Sequence, residues 1–247
     1  MDGLLLVDKP SGWTSFDVVA RVRSILRQVK SEKLKAEGKK QLSTLDFQLS
    51  TPSPKVKVGH TGTLDPLATG LLVLVIGSYT KRAGEFSKLD KTYEVTMKLG
   101  QTSTTGDEEG DKTPVSDIKP SKDAILAAIK RFEGDIMQTP HKFSAIKING
   151  QRAYKLARSG QEVQLEPRKV TIFSMTDVNY SYPEIKFTAE VSSGTYIRSL
   201  VEDIGSKLGT GAYMTALRRT RVGTFVLHDA LVMDRITAEK LEKARRY

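Results

Sequence analysis

The stretch GHTGTLDPLATGLLVLVIG, Gly59–Gly77, places Asp65 between a glycine-containing turn and a run of aliphatic residues. An Asp-Pro pair by itself is a common start of a turn, because Asp initiates turns and the residue before a proline prefers an extended backbone. The run from Leu71 to Ile76 is short and apolar throughout, which predicts a buried strand. The pattern therefore predicts a turn that holds Asp65 at the edge of an apolar strand.

The composition is that of a soluble globular protein with an excess of positive charge. The 247 residues include 38% hydrophobic positions, and 39 Lys and Arg against 29 Asp and Glu give a net charge of +10. That charge favours an anionic partner, nucleic acid before a membrane surface. The N-terminal residues do not resemble a secretory signal, so we expect a cytoplasmic protein. Cysteine is absent and the three histidines lie far apart, so we expect neither a metal nor a cofactor.

The first helix and the segment after it differ in composition. The helix is predicted to begin at Thr14 or Ser15, with one apolar face formed by Val18, Val22, Ile25 and Val29. Between residues 28 and 57 there are seven lysines against three acidic residues, and large apolar residues are few. This segment is interpreted as a lysine-rich surface insertion, partly helical, within a single domain that spans residues 1–247.

The remainder of the chain mixes strands and helices. Residues 91–99 alternate apolar and polar positions as a half-buried strand does, and two further strands are predicted at 168–180 and 184–193. A helix capped by Ser121 and another after Thr195 interrupt them. Antiparallel strand pairs interrupted by helices predict the α+β class.

Separate blocks of the chain carry a joint signature. They are DKPSGWTS (8–15), GHTGTLDPLATGLL (59–72), KTY (91–93), PHKFSAIK (140–147), SSGTYIRSLVEDIG (192–205) and LRRTR (217–221). In this order they resemble the TruB family of tRNA pseudouridine synthases, over nearly the whole chain outside residues 28–57. Phe143 and Ile146 depart from the family's usual Tyr and Leu. Many family members continue into a small C-terminal RNA-binding domain, so the resemblance implies either a minimal member or a fragment.

The resemblance implies a fold and an activity. The fold is that of pseudouridine synthases, with a mixed, largely antiparallel sheet and flanking helices, and the activity is isomerisation of uridine 55 in the T loop of tRNA. Asp65 matches the family's catalytic aspartate, Arg198 matches the arginine paired with it, and both are predicted to be catalytic. The positions around the flipped uridine are matched by His60, Tyr93, Tyr196 and Leu217. A monomer that binds the T arm and elbow of tRNA is expected, without a membrane partner.

These residue types suit the reaction. Isomerisation breaks the bond from C1′ to N1, turns the base and joins C1′ to C5, so it needs a carboxylate that adds covalently or accepts a proton. Asp65 is suited to both roles, and the sequence leaves both open. The ring of Tyr93 is suited to stacking on the base while its hydroxyl stays near C5, so Tyr93 is also predicted to be catalytic.

Each assignment competes with a structural role. On pattern alone, Tyr93 and Leu217 are core residues of strands, Tyr196 is equally suited to packing, and Arg198 is a surface arginine of a helix. His60 is also suited to capping a turn. Lys9, taken as substrate-binding, is equally a structural residue of the Lys-Pro turn.

Basic residues are predicted to bind the RNA backbone. They are Lys142, Lys147, Arg152, Lys155, Arg158, Arg218, Arg219 and Arg221, and the alternative for each is a solvated basic surface. Two other functions remain open. One is a tRNA chaperone without chemistry, and the other is a glycosidase-like hydrolase, which needs two carboxylates beside the scissile bond.

Overall fold

A computed structural model of the chain describes residues 2–41, 55–144, 146–148, 150–161 and 163–243, with side chains outside the description at 34–41, 147, 154, 242 and 243. It divides into two compact units. The first unit is Met1–Ser87 together with Thr224–Tyr247, and the second is Lys88–Gly223. The prediction of one catalytic domain over residues 1–247 stays a prediction.

Strands and helices alternate along both units. The strands are β1 (Gly3–Lys9), β2 (Val58–His60), β3 (Thr69–Ile76), β4 (Lys91–Leu99), β5 (Gln101–Ser103), β6 (Lys112–Pro114), β7 (Gly134–Gln138), β8 (Lys147–Ile148), β9 (Gln151–Arg152), β10 (Arg168–Ser181), β11 (Glu184–Val191), β12 (Ala212–Val222), β13 (Phe225–Val226) and β14 (Leu231–Val232). The helices are α1 (Ser15–Gln41), α2 (Ala83–Ser87), α3 (Lys122–Lys130), α4 (Ala153–Arg158), α5 (Ile197–Lys207) and α6 (Ala238–Lys243). Short 3-10 turns occupy Gly77–Arg82, Leu227–Asp229 and Met233–Arg235.

The first unit is built on β3, the predicted apolar strand. β1 runs antiparallel to β3 from Gly3 opposite Ile76 to Lys9 opposite Gly70. β2 is also antiparallel to β3, whereas β14 pairs with β1 in parallel. Every residue from Leu71 to Ile76 is buried, which confirms the predicted buried strand.

Helix α1 packs its apolar face against this sheet. The predicted residues Val18, Val22 and Val29 are buried, Ile25 is half-buried, and Leu26 completes the face. The helix continues to Gln41, past the predicted change at residue 28, because no proline or glycine occurs before Gly38 and Lys, Glu and Ala are good helix formers. The first part of the lysine-rich segment is therefore helical, and residues 42–54 lie outside the described residues.

The second unit contains an antiparallel sheet in the order β12-β4-β11-β10-β7. In β4 the side chains of Tyr93, Val95, Met97 and Leu99 are buried, as the alternation predicts. Helix α3 has the predicted cap, because the hydroxyl of Ser121 accepts a hydrogen bond from Ala124 N. Helix α5 packs on β12.

The strand pairing within each unit, together with the helices, confirms the predicted α+β class with mixed, largely antiparallel pairing. Among the helices that the structure describes, none has the length and apolar character needed to cross a lipid bilayer.

Candidate active site

The loop between β2 and β3 carries Asp65 and is held through its backbone. The hydroxyl of buried Ser15, at the start of α1, donates to Leu64 O at 3.0 Å and accepts from Leu64 N at 2.8 Å. Ala68 N donates to Asp65 O at 3.1 Å, which closes the turn that follows Asp65. These contacts fix the position of the backbone at Asp65, whose side chain is half-buried.

Lys9 holds the same loop from the Lys-Pro turn. Its ammonium is fully buried and donates to Pro10 O at 2.9 Å, Trp13 O at 2.6 Å and Pro66 O at 3.2 Å. Gly12 N donates to Pro66 O as well, at 2.9 Å. Through these three carbonyl groups Lys9 positions the loop. The predicted substrate-binding role of Lys9 stays a prediction.

The structure places His60 at the end of β2, five residues before Asp65, with its side chain half-buried. Strand β2 pairs with β3, where His60 lies opposite Leu74. Lys9, His60 and Asp65 thus all belong to the first unit and to the turns at the ends of its strands. Their roles toward a substrate stay predictions.

The second unit brings three of the predicted residues together. Tyr93 on β4 lies opposite Arg219 on β12, and two residues further along the ladder Val95 lies opposite Leu217. Residues directly opposite in an antiparallel pair share a face of the sheet, so Tyr93, Leu217 and Arg219 lie on one face. All three are buried, and on the other side Tyr93 is opposite the small residue Ala189.

The three arginines of LRRTR do not form one solvated basic surface. Arg218 lies opposite Glu94, on the face opposite to that of Arg219, and Arg219 is only 2% exposed. Arg221 donates to Thr92 Oγ1 at 3.1 Å and forms an ion pair with Glu190 on β11. Arg218 and Arg219 thus point to opposite faces of the sheet, because neighbours on a strand alternate. Their predicted contacts with RNA phosphates stay predictions.

The other predicted phosphate contacts surround the β8–β9 hairpin. The side chains of Lys142, Arg152, Lys155 and Arg158 are exposed, whereas that of Lys147 lies outside the described residues. Asn149, half of the predicted Asn-Gly turn, also lies outside them, but the antiparallel pairing of Lys147 with Arg152 confirms the hairpin.

Buried cations lie together on β4 and β12. Lys91 is buried and donates to Leu89 O. Burial first, and then the nearby Arg219, lower the pKa of Lys91 to about 8, while Asp90 acts in the opposite direction. The second unit therefore holds a buried lysine whose pKa lies well below the ordinary value of 10.5.

Tyr196 and Arg198 lie at the start of α5. Tyr196 precedes the helix, and its backbone exchanges two hydrogen bonds with the side chain of buried Gln138, at 2.8 and 3.1 Å. Arg198 is buried and donates to Thr105 O at 3.0 Å and Phe143 O at 3.2 Å. The alternative of a surface arginine is wrong, and the pairing of Arg198 with Asp65 stays a prediction.

Asp107 is a buried partner of Arg198 that sequence reasoning missed. Its Oδ2 is 3.3 Å from Arg198 Nη1, and its Oδ1 accepts from Thr105 Oγ1 at 2.5 Å and Glu109 N at 3.1 Å. The loop carries acidic residues at 107, 108, 109 and 111, and no local pattern separates the buried one from the others. The glycine that precedes Asp107 was the one hint in the sequence that this acidic residue stands in a constrained turn. In the structure Gly106 has a φ of +72°, which glycine adopts readily.

His141 and Glu202 enclose that glycine. A Cβ on Gly106 would lie 2.9 Å from both His141 Nε2 and Glu202 Oε1, and these two atoms are 3.6 Å apart. His141 Nδ1 accepts from Phe143 N at 3.2 Å, in the same segment that binds Arg198. The Asp107 loop, the segment around Phe143 and α5 are thus packed together around Arg198.

Comparison with known proteins identifies the family. A family model described as TruB family pseudouridylate synthase (N-terminal domain) matches residues 50–197, and one described as tRNA pseudouridylate synthase B C-terminal domain matches residues 198–246. The chain belongs to the TruB family. This confirms the resemblance seen in the sequence, and with it the assignment of the chain as an isomerase of the pseudouridine synthase class.

Relatives named tRNA pseudouridine synthase B cover almost all of this TruB-family chain. That of Burkholderia pseudomallei (strain 668) is 43% identical over 238 residues, which are 96% of this chain and 70% of the relative. That of Thermobifida fusca (strain YX) is 39% identical over 249 residues, with 96% and 75% covered.

Solved structures agree on the pseudouridine synthase fold. A chain in a Cbf5–Nop10–Gar1 complex matches with a TM-score of 0.64 and 27% identity, over 94% of this chain and 52% of that chain. A chain in an H/ACA RNP bound to a substrate RNA containing 2′-deoxyuridine matches with a TM-score of 0.62 and 26% identity, over 94% and 51%.

Proposed function

We propose that this TruB-family protein converts uridine 55 in the T loop of tRNA to pseudouridine. The relatives named tRNA pseudouridine synthase B support tRNA as the substrate, and one similar structure holds a substrate RNA with 2′-deoxyuridine. The observation that carries the proposal is the way in which DKPSGWTS holds the Asp65 loop, through Lys9 to Pro66 O and Ser15 to Leu64. A carboxylate on such a preset loop needs little reorganisation when it reacts.

Asp65 supplies the reactive carboxylate. The bond from C1′ to N1 breaks, the base turns, and a bond from C1′ to C5 forms. The proton lost from C5 is balanced by a proton gained at N1, so no oxidant or reductant takes part. The carboxylate of Asp65 either adds to the sugar or base as a transient nucleophile or accepts a proton during cleavage.

Tyr93 and its neighbours on the sheet bind the base. The target uridine must leave the stacked T loop, which costs a few kcal/mol. Stacking on an aromatic ring returns about 1–3 kcal/mol per base, and Tyr93 is suited to this because its neighbour Ala189 is small. Leu217 lies on the same face as an apolar contact. Arg198, anchored by Asp107, is the positioning arginine.

A mapping assay tests the proposal. An unmodified tRNA transcript is incubated with the protein, and pseudouridine is located by carbodiimide-dependent stops in reverse transcription. We expect one new stop at uridine 55, and none on a transcript with cytidine at that position. A stop at another uridine would overturn the position while leaving the isomerase activity intact.

Nucleoside analysis of the same reaction separates the two other functions. A tRNA chaperone would bind the transcript and leave its nucleosides unchanged. A hydrolase would release uracil and leave an abasic site. Either result would overturn the proposal.

A further inference from the structure

Helix α1 presents an exposed aromatic ring next to the Asp65 loop. Phe16 is 63% exposed, and it directly follows Ser15, whose hydroxyl binds both backbone groups of Leu64. The ring of Phe16 is therefore exposed to solvent, and the contacts between Ser15 and Leu64 fix the start of α1 relative to the loop that carries Asp65. Its placement contrasts with that of Val18 and Val22, which are buried in the core on the other side of the helix.

Cations continue from Phe16 along the same face of α1. At about 100° per residue, Arg23, Arg27 and Lys30 fall within about 40° of the direction of Phe16. The guanidinium carbon of Arg23 lies 5.9 Å from the centroid of the Phe16 ring, and its Nη2 donates to Val58 O at 3.0 Å. Arg27 and Lys30 are exposed. We call Phe16, Arg23, Arg27 and Lys30 the α1 stripe.

The carboxylates of this part of α1 lie away from the stripe. Between Ser15 and Lys33 the acidic residues are Asp17 and Glu32, about 100° and 160° around the helix from Phe16. Asp17 accepts hydrogen bonds from Thr14 N at 2.8 Å and Thr14 Oγ1 at 2.7 Å, and this bonding lowers the pKa of Asp17. Glu32 accepts from Gln28 at 3.0 Å. The stripe therefore has one sign of charge.

We propose that the α1 stripe is a second RNA-binding site, where an unpaired nucleobase stacks on Phe16 and phosphates of the same strand bind Arg27 and Lys30. A rise of 1.5 Å per residue puts these cations about 16 and 21 Å along the helix from Phe16. At about 3.4 Å per stacked nucleotide, five or six nucleotides span that distance. The proposal rests on the proposed function, because it places the site beside a loop that acts on RNA.

The chemistry of the stripe favours RNA over a lipid surface. A membrane-surface helix needs a broad apolar face in addition to its cations, and the stripe contains one ring followed by cations. A ring followed by a row of cations is the arrangement that binds single-stranded nucleic acid, with stacking for the bases and positive charge for the backbone.

The cations are tested with two variants of one helix. Arg27→Ala removes a charge from the stripe, and Arg21→Ala removes an exposed charge about 140° away from Phe16. Affinity for an unmodified tRNA transcript is measured between 50 and 200 mM salt. We expect Arg27→Ala to bind several-fold more weakly and its log–log salt slope to be smaller by about 0.7–0.9, with Arg21→Ala equal to the parent.

The ring is tested by substitutions that separate stacking from apolar area. Phe16→Ala and Phe16→Leu both lose the aromatic face, so both should bind about 5- to 150-fold more weakly, which corresponds to one lost base stack. Phe16→Trp should retain affinity. Phe173→Ala, which removes another exposed phenylalanine, serves as the control and should bind as the parent does. The rate at saturating tRNA should change less than the affinity, because the proposal gives Phe16 a role in binding the strand and Asp65 a role at the reacting atoms.

The outcomes separate this proposal from the proposed function. Equal affinity for Phe16→Leu and the parent, or equal salt slopes for Arg27→Ala and Arg21→Ala, would overturn the RNA site even if the parent forms pseudouridine. Stripe variants that lose affinity for anionic phospholipid vesicles but not for tRNA would overturn it in favour of a membrane. A parent that forms no pseudouridine while the stripe variants still lose tRNA affinity would overturn the proposed function and support the site.

Discussion

Two loops of this protein carry an aspartate beside a glycine-containing turn, and they are held in opposite ways. The Asp65 loop is fixed by backbone contacts, from Lys9 to Pro66 O and from Ser15 to Leu64. The Asp107 loop is fixed through the carboxylate itself, which binds Arg198, and Asp107 is 4% exposed. The contacts from Lys9 and Ser15 hold the Asp65 loop through backbone atoms, whichever side chain stands at position 65. We therefore expect activity and stability to separate at Asp65 and to change together at Asp107.

The largest effect is expected for Asp65→Asn. The amide keeps the shape of the carboxylate but neither adds to carbon nor accepts the proton, so pseudouridine formation should fall by at least about 100-fold. The free energy of unfolding should change less than in Asp107→Asn, because Ser15 and Lys9 hold the loop through backbone atoms that the substitution leaves in place. Single-turnover kinetics and urea unfolding measure the two quantities. Turnover above about one per cent of the parent would contradict the role of Asp65.

Asp107→Asn should lower stability as well as rate. It removes the negative partner of a buried arginine, which costs about 2–4 kcal/mol, somewhat less than full loss of a buried partner because the amide oxygen still accepts a hydrogen bond. Asp111→Asn on the same loop is the control, since Asp111 is exposed. If Asp107→Asn and Asp111→Asn unfolded at the same urea concentration, the carboxylate of Asp107 would not stabilise its loop, and the difference from the Asp65 loop would be lost.

Stability is expected to depend on pH through Lys91. Its pKa is about 8 in the folded protein, against 10.5 in the unfolded chain. Between these values the unfolded state holds a proton that the folded state has lost, so the free energy of unfolding rises with pH. At about 1.4 kcal/mol per unit, the parent should gain about 2–3 kcal/mol relative to Lys91→Met between pH 7.5 and 10.5.

Urea unfolding of both proteins at the two pH values tests this, with Lys88→Met, at an exposed lysine, as the control. A difference between parent and Lys91→Met that does not change with pH would contradict the assignment. Lys9, by comparison, meets three carbonyl oxygens, whereas Lys91 lies near a guanidinium.

The smallest effect is expected for Ser15→Ala. It leaves Leu64 N and Leu64 O without their partner, which costs about 1–3 kcal/mol for buried groups. Because the Asp65 loop then loses an anchor, the rate at saturating tRNA should also fall. Ser11→Ala, which removes only an exposed 3.4 Å contact to Leu67 O, should change both quantities less. Equal effects of the two variants would show that Ser15 does not hold the loop.

Much of the fold could be predicted from local patterns. The apolar run at β3, the alternation along β4 and the cap at Ser121 each depend on residues close together in the chain, and the structure has them where the sequence predicts them. The extent of α1 was predicted only in part. The lysine-rich segment after residue 28 was interpreted as a partly helical insertion, and α1 continues through it to Gln41 because its residues favour a helix.

The candidate site was predictable only in part. Asp65 and Tyr93 stand in motifs that the order of the blocks makes recognisable. Arg219 was predicted to bind RNA, with a solvated basic surface as the alternative, and its side chain is buried. Its face depends on the register of β12 against β4, which shifts between Met214 and Ala216 and again between Arg219 and Arg221. A shift of one residue reverses the face that a side chain occupies, and no local pattern reports it.

The sequence by itself determined the family, the positions of the principal strands and helices, and the aspartate that the motif presents, because these depend on periodicity and spacing along the chain. The tertiary structure decided which charged side chains are buried and what they contact. Arg198 forms an ion pair with Asp107, which is 91 residues away in the sequence. Lys9 donates a hydrogen bond to Pro66 O, which is 57 residues away. A buried charge is tolerated only where partners compensate its lost hydration, and those partners are brought near by the fold rather than by the chain.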